Sequence, residues 1–247
     1  RGTFRRPVVV RMEKPADLAV DREAVWIVGA RELVAVFPRR LNKFRTLTGR
    51  LPTPVVTAVQ DAPGRTWLGT TGGLAFHDGF RLHALGRRDA LRRLHVTALA
   101  VDGAARVWAG TARDGVFLLE RRNWRQLREE LPSPYVTCLA PGDGSTMLIG
   151  LYSGGLFRAD GRTLRRVPVP PPLRRPVRLL VRLTGGEYLA ATDAGLHRGR
   201  EDFWLPVNLG TLAPGERAKK LVPLPDGDAL LLTTAGRLLR VTGRSVR

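Results

Sequence analysis

Four kinds of residue in this sequence could carry chemistry: four histidines, a recurring set of aspartates, one cysteine and a glycine-rich segment. His77, His83, His95 and His197 are the only imidazoles available for a metal site or for acid–base work. No His-x-x-x-His or His-x-Glu pairing brings them to ligand spacing, so no metal site is expected. Asp61, Asp102, Asp143 and Asp226 recur at comparable places and could suggest a ring of general acids. Each stands at a turn (Asp61-Ala62-Pro63-Gly64, Asp102-Gly103, Asp143-Gly144, Asp226-Gly227). There the carboxylate bonds the backbone two residues on, so turn chemistry is the expected role. Cys138 occupies the slot held by Ala58 and Ala98, which reads as a small buried hydrophobe and not a nucleophile. Gly69-Thr70-Thr71-Gly72-Gly73 looks like a phosphate-cradling loop, but it lacks the Lys and the following helix. No catalytic residue, metal or cofactor is expected on these grounds.

What remains is charge. The 247 residues carry 41 Lys+Arg against 22 Asp+Glu, a net charge of +19. Only Lys14, Lys43, Lys219 and Lys220 are lysines; the other 37 are arginines. Guanidinium groups suit bidentate binding of carboxylate, sulfate or phosphate, although an Arg excess is also what a GC-rich genome produces. Such charge speaks to partners and steering, not to fold. Apolar residues make up 43%, enough for a sizeable core and too many for global disorder. No stretch approaches 18 uninterrupted apolar residues, so no transmembrane helix is expected. One cysteine excludes an intrachain disulfide and a Cys-rich zinc site, and leaves the redox compartment open. The chain starts at Arg1 without a Met, which leaves open a removed leader or a trimmed end.

The elements that position these residues follow from an internal repeat. Trp26, Trp67 and Trp108 are evenly spaced, and Leu148, Leu189 and Leu230 continue the series at intervals of 40 or 41. Short apolar runs precede each anchor, as in Val56-Thr57-Ala58-Val59, Val96-Thr97-Ala98-Leu99 and Val136-Thr137-Cys138-Leu139. A Gly/Asp/Pro turn follows each run. The anchor then opens a second run, Gly plus an apolar residue starts a third (Gly73-Leu74, Gly115-Val116, Gly155-Leu156, Gly195-Leu196), and another turn leads to a fourth. Four β-type runs per unit read as a four-stranded antiparallel sheet. Only Ala90–Arg93 and Gln126–Glu130 have local helix character.

A period near 40 with four strands per unit is the signature of a β-propeller. The expectation is therefore an all-β, six-bladed β-propeller of four-stranded antiparallel blades. Residues 1–247 form one domain in this reading, with units at 16–47, 55–85, 95–127, 135–167, 176–207 and 218–247. Val246-Arg247 stops where a sixth fourth strand should start. Phe4-Arg5-Arg6-Pro7-Val8 is spaced to supply that strand, so residues 3–9 are expected to complete the last blade and close the ring. A fragment of a longer array is the alternative. Gly69 and Gly110 are expected on strands near a crowded axis.

Leu131-Pro132-Ser133-Pro134-Tyr135-Val136-Thr137-Cys138-Leu139 and Trp67-Leu68-Gly69-Thr70-Thr71-Gly72-Gly73-Leu74 carry a resemblance. The chain resembles the two-component regulator propeller repeat, best in its second and third units (Val56–Leu74, Val96–Val116). The resemblance implies a propeller, commonly an extracytoplasmic sensor that binds a ligand, often a carbohydrate, and signals to a kinase. A periplasmic or extracellular location follows from it; the residues themselves leave a cytoplasmic one open. No kinase or response segment is present in this chain, and the motif residues are structural. Antibiotic lyases on propellers of similar repeat length use a histidine, a carboxylate and a metal; that set is not found here, so an enzyme is not expected, a lyase-type propeller enzyme staying open as the alternative.

In a propeller, the connections between blades and the turns between second and third strands share one face. The connections carry Arg50, Arg87, Arg88, Arg92, Arg93, Arg128, Arg174, Arg175, Arg217, Lys219 and Lys220. The turns add Arg31 and Arg113, with Tyr152 as an aromatic neighbour. One strongly basic face is expected, and the outer strands add Arg39, Arg40, Lys43, Arg45, Arg121, Arg122, Arg125, Arg165 and Arg166 to a basic rim. Three functions remain open: docking an acidic protein partner within a larger assembly, sensing an anionic glycan such as an acidic polysaccharide, or binding nucleic acid. The last needs exposed aromatics among basic residues, for which Trp124 and Trp204 are the candidates.

Overall fold

A computed structural model describes residues 15–20, 25–29, 33–37, 43–47, 53–62, 65–78, 81–84, 91–120, 123–127, 131–200, 203–208, 215–243 and 245–246, those before 50 and after 244 in backbone alone. Turns and branched or aromatic runs alternate along the chain, and the strands that result pair in sequence order. Two compact units emerge, Arg1–Val96 and Thr97–Arg247.

The first unit begins with the ladder β1 (Pro15–Val20), β2 (Val25–Gly29), β3 (Leu33–Phe37) and β4 (Lys43–Leu47). A second sheet follows: β5 (Val55–Ala62), β6 (Arg65–Thr70), β7 (Gly73–His77) and β8 (Leu82–Ala84). Trp67 and Leu68 of β6 are buried, and Trp67 packs on Phe76 with ring centroids 5.0 Å apart.

The second unit holds four sheets. They are β9 (Val96–Val101) to β12 (Asn123–Leu127), with β10 (Val107–Thr111) and β11 (Val116–Glu120) between; and β13 (Val136–Pro141), β14 (Met147–Leu151), β15 (Leu156–Ala159) and β16 (Leu164–Arg166). Then come β17 (Val177–Arg182), β18 (Tyr188–Thr192), β19 (Gly195–Arg200) and β20 (Phe203–Pro206); and β21 (Ala218–Pro223), β22 (Ala229–Thr233), β23 (Leu238–Thr242) and β24 (Ser245–Val246). First strands of successive sheets meet, β13 with β17 and β17 with β21, so the sheets converge on their first strands. Three apolar clusters fill the gaps between neighbouring sheets. Trp108, Leu118, Ile149 and Leu151 centre one, Leu148, Leu156, Leu180 and Trp204 the next, and Leu189, Leu196, Leu221 and Leu231 the third. Neither face of such a sheet is wet, which is why second strands such as β10 and β14 are buried at every residue, β14 being apolar throughout and β10 apolar up to Thr111.

The glycines of the second strands have a more local cause than a crowded axis. A Cβ on Gly69 would lie 2.6 Å from Val96 Cγ1, one on Gly110 2.4 Å from Val136 Cγ1, and one on Gly150 would overlap Cys138 Sγ of its own sheet and lie 3.3 Å from Val177 Cγ1. Each glycine admits the first valine of the next sheet. Where the glycine becomes Ala191, the incoming residue shrinks to Ala218, and both join the same cluster. Volume is conserved across the pair.

One expectation is corrected: the propeller shows five blades, not six, β5–β8 through β21–β24. Pro15–Leu47 contributes a ladder described in backbone alone. The strand expected from residues 3–9 is not among the described residues; the fourth strand described in the last sheet is Ser245–Val246, paired to Thr242 and Val241. Gly243, at φ 54°, turns the chain so tightly that almost no loop is needed. The helix-like segments also resolve differently. Leu91–Arg93 is a turn, Gln126 and Leu127 belong to β12, and the helical turn that forms is a 3-10 helix at Pro171–Arg174.

Candidate functional site

The site is built on a repeated irregularity. Five first strands carry a β-bulge near their start, leaving Ala16, Val56, Thr137, Arg178 or Lys219 as the extra residue. Thr137 Oγ1 donates to Gly150 O at 3.0 Å and to Val177 O of the next sheet. Thr97, in the corresponding place, donates to Val136 O at 2.5 Å. A threonine here therefore ties adjacent sheets together. At the next two bulges it is replaced by Arg178 and Lys219, both exposed. The position stops serving the fold and presents charge to solvent.

The same end of β13 and β14 presents aromatic rings. Val136 pairs with Leu151, so Tyr135 and Tyr152 are the next residues outward on facing strands, joined by a 2.9 Å bond from Tyr152 N to Tyr135 O. Their rings stack with centroids 5.3 Å apart and planes 8° apart, yet remain 37% and 49% exposed. Stacked phenols in water form an amphipathic platform of the kind that anchors ligands.

Corresponding places in the next sheets are charged. Val177 pairs with Thr192, which puts Asp193 just beyond β18. Arg178 grips it with a two-pronged contact, Nε to Oδ1 at 2.7 Å and Nη2 to Oδ2 at 2.8 Å. Arg217, just before β21, has Nη1 3.6 Å from Asp193 Oδ1 and accepts Thr234 N at its own carbonyl. Hydrogen bonding to Arg178 is the largest influence on Asp193 and lowers its pKa; the charges of Arg178, Arg217 and Arg175 act the same way. Reciprocally, the hydrogen bonds to Asp193 raise the pKa of Arg178, with smaller contributions from Tyr152 and Tyr135. One carboxylate thus sits among Arg175, Arg178 and Arg217, beside the tyrosine platform, with a net excess of positive charge. The arrangement can hold an incoming carboxylate by guanidinium forks and an apolar or aromatic group on the rings.

The residues singled out from the sequence are distributed as follows. Arg31, Arg50, Arg87 and Arg88 lie outside the described residues. Arg92 and Arg93 are exposed in the Leu91–Arg93 turn of the first unit, where Arg93 adopts a left-handed φ of 70°. In the second unit, Arg113, Tyr152, Arg174, Arg175 and Lys219 are exposed and Lys220 is half-buried. Tyr152 and Arg175 fall at the site, as does Arg217 of the blade connections. Tyr135, Arg178 and Asp193 were not expected there. Tyr135 is hidden in the sequence by its place inside a repeat motif; the usable signal was Arg178 and Lys219 standing where Thr97 and Thr137 stand.

The other chemical candidates are placed by packing. His77 and His197 are buried, His95 is exposed, and His83 Nε2 lies 2.6 Å from Asp78 Oδ2. Asp102 has the turn role: it accepts Ala104 N at 2.9 Å and Arg106 N at 3.0 Å, and its second oxygen accepts Trp108 Nε1 at 2.8 Å. Cys138 is buried with its Sγ 3.4 Å from Val177 O, and burial pushes its pKa up to about 12. Trp204, offered as an exposed ring, is buried beside Tyr188, and Trp124 is half-buried. Among the described residues no three His, Cys, Asp or Glu side chains gather as metal ligands, and no helix is long and apolar enough to cross a membrane.

No protein-family model and no curated protein sequence matches the chain. Solved structures do. Virginiamycin B lyase from Staphylococcus aureus is 12% identical with a TM-score of 0.77, over 95% of this chain and 83% of that one. The extracellular domain of a protein assigned to the hybrid two-component systems of B. thetaiotaomicron is 15% identical, with a TM-score of 0.74. That match takes in 97% of this chain, which spans only 33% of the larger domain. YCF48 bound to D1 peptide is 15% identical with a TM-score of 0.71, over 96% and 81% of the two chains. At these identities the likeness establishes the β-propeller fold.

Proposed function

We propose that this chain is a non-catalytic binding propeller that docks an acidic protein segment on the edge carrying Tyr135, Tyr152, Arg175, Arg178 and Arg217. The observation that carries the reading is the exposed tyrosine stack beside the Arg178–Asp193 fork. A peptide carboxylate would compete for guanidinium donors now shared with Asp193, and an apolar side chain would cover the rings. YCF48, of similar fold, was solved with a peptide, which supports a protein segment as the kind of ligand. The extracellular setting of the similar two-component domain supports a periplasmic or extracellular location.

Fluorescence anisotropy with a labelled peptide containing alternating glutamate and aromatic residues tests the reading. Saturable binding is expected, weakened about tenfold or more in Y135A/Y152A, because an aromatic anchor contributes about 2 kcal/mol. Binding that is non-saturating, or unaltered in that variant, contradicts it. An acidic oligosaccharide and a polynucleotide in parallel titrations separate the glycan and nucleic-acid alternatives.

A further inference from the structure

The junction between β17–β20 and β21–β24 is packed differently from the two before it. There the incoming first strand sets a valine against a glycine, Val136 on Gly110 and Val177 on Gly150. Here it brings Ala218, which has no γ-methyl groups, and a cavity of about 270 Å³ lies beside it. Leu196 of β19 and Leu231 of β22, both buried, line the cavity together with half-buried Ala218. Asp193 and Arg217, both exposed, stand at its mouth.

The polar groups around this cavity are already engaged. Arg237 holds the buried Glu216 by two bonds, Nε to Oε1 at 2.9 Å and Nη2 to Oε2. Asp193 has the Arg178 fork, and Arg217 Nη1 lies 3.6 Å from it. Thr192 Oγ1 accepts Ala194 N at 3.1 Å and donates to Gly195 O at 3.4 Å. With each acid matched to an arginine and the hydroxyl bonded, the walls demand no polar group from an occupant. What they leave to cover is hydrocarbon. The volume is below the roughly 300 Å³ at which pockets for whole small molecules begin, and suits one side chain.

Asp193 and Arg217 belong both to this cavity and to the docking edge. A carboxylate received by Arg178 and Arg217 therefore brings the residue beside it to the mouth of the cavity. We infer, on the basis of the docking proposed above, that the cavity takes one aliphatic side chain of the bound acidic segment, leucine or a group of its size. Charge alone would admit any acidic segment; the cavity selects those with an aliphatic residue next to the acid.

Anisotropy titrations of the full chain with two labelled acidic peptides test this, one with leucine and one with alanine beside a central glutamate. The leucine peptide should bind about tenfold more tightly, the gain expected for burying that side chain. Ala218→Val adds two methyl groups to the cavity wall, and Ala191→Gly made with it reproduces the glycine–valine arrangement of the preceding junctions. In this double variant, with a thermal melt to show that it is folded, the leucine advantage should fall to about threefold or less. An advantage unchanged in the variant would overturn the assignment. Equal binding of the two peptides, still weakened by Arg178→Ala, would overturn the cavity's role and leave the docking edge standing. No saturable binding of either peptide would overturn both.

Discussion

At the scale of single residues, three side chains show how burial decides chemistry. Asp102 has a fully buried carboxylate, and Arg106 Nε bonds the same oxygen as Trp108 Nε1. Asp102→Ala should destabilise the protein by about 3 kcal/mol, because it removes the counter-charge of Arg106 and leaves the Arg106 Nε–H and the Trp108 indole N–H without their shared acceptor. A urea midpoint unchanged from wild type would contradict this. Cys138, with its pKa near 12, should resist an aromatic disulfide reagent at pH 8 until denaturant is added. His197 has a pKa lowered by burial from its ordinary 6.5, with a buried Nδ1 that finds no hydrogen-bond partner among the described residues. The unfolded chain takes up a proton at this residue as pH falls through about 6.5, while the folded chain does not until lower pH. Its contribution to stability is therefore lost as pH falls below that value. Thermal melts between pH 7 and 5 should show a decline that is shallower in His197→Leu; parallel declines would rule this residue out as the source.

At the scale of elements, the contact between one sheet's second strand and the next sheet's first valine sets the spacing of the blades. Gly110→Ala places a methyl 2.4 Å from Val136 Cγ1 and should cost about 1–3 kcal/mol through overpacking. Adding Val136→Ala should restore part of the loss, since the chain already uses that combination at Ala191 and Ala218. Additive losses in a double-mutant cycle would refute the coupling. This is also where sequence reading succeeded and stopped. The recurrence of Trp, Gly and Val made the strands and their order legible, since neighbouring sheets need the same residues at the same places. Bulge residues were not legible, because Thr97, Thr137 and Arg178 look alike in register until the ladder shows which one is extra. Nor was the two-residue strand Ser245–Val246, whose existence depends on a turn closing at Gly243.

For the whole molecule, a net charge of +19 conveys less than where its charges are committed. Arg106, Arg125, Arg182, Arg198, Arg237 and Arg240 all pair with carboxylates within the fold. The charge on which the proposed docking rests is the smaller set gathered around Asp193, and it was only partly legible: Tyr152, Arg175 and Arg217 stood out from the sequence, whereas Tyr135 and Arg178 needed the register of two ladders. Screening should weaken acidic-peptide binding as salt rises, without abolishing the part due to ring contact. The most direct test pairs a glutamate peptide and its glutamine counterpart with wild-type protein and Arg178→Ala in an anisotropy cycle. Docking at this edge predicts that the preference for the glutamate peptide falls at least fivefold in Arg178→Ala. An unchanged preference would contradict it, and would place acidic recognition elsewhere on the molecule.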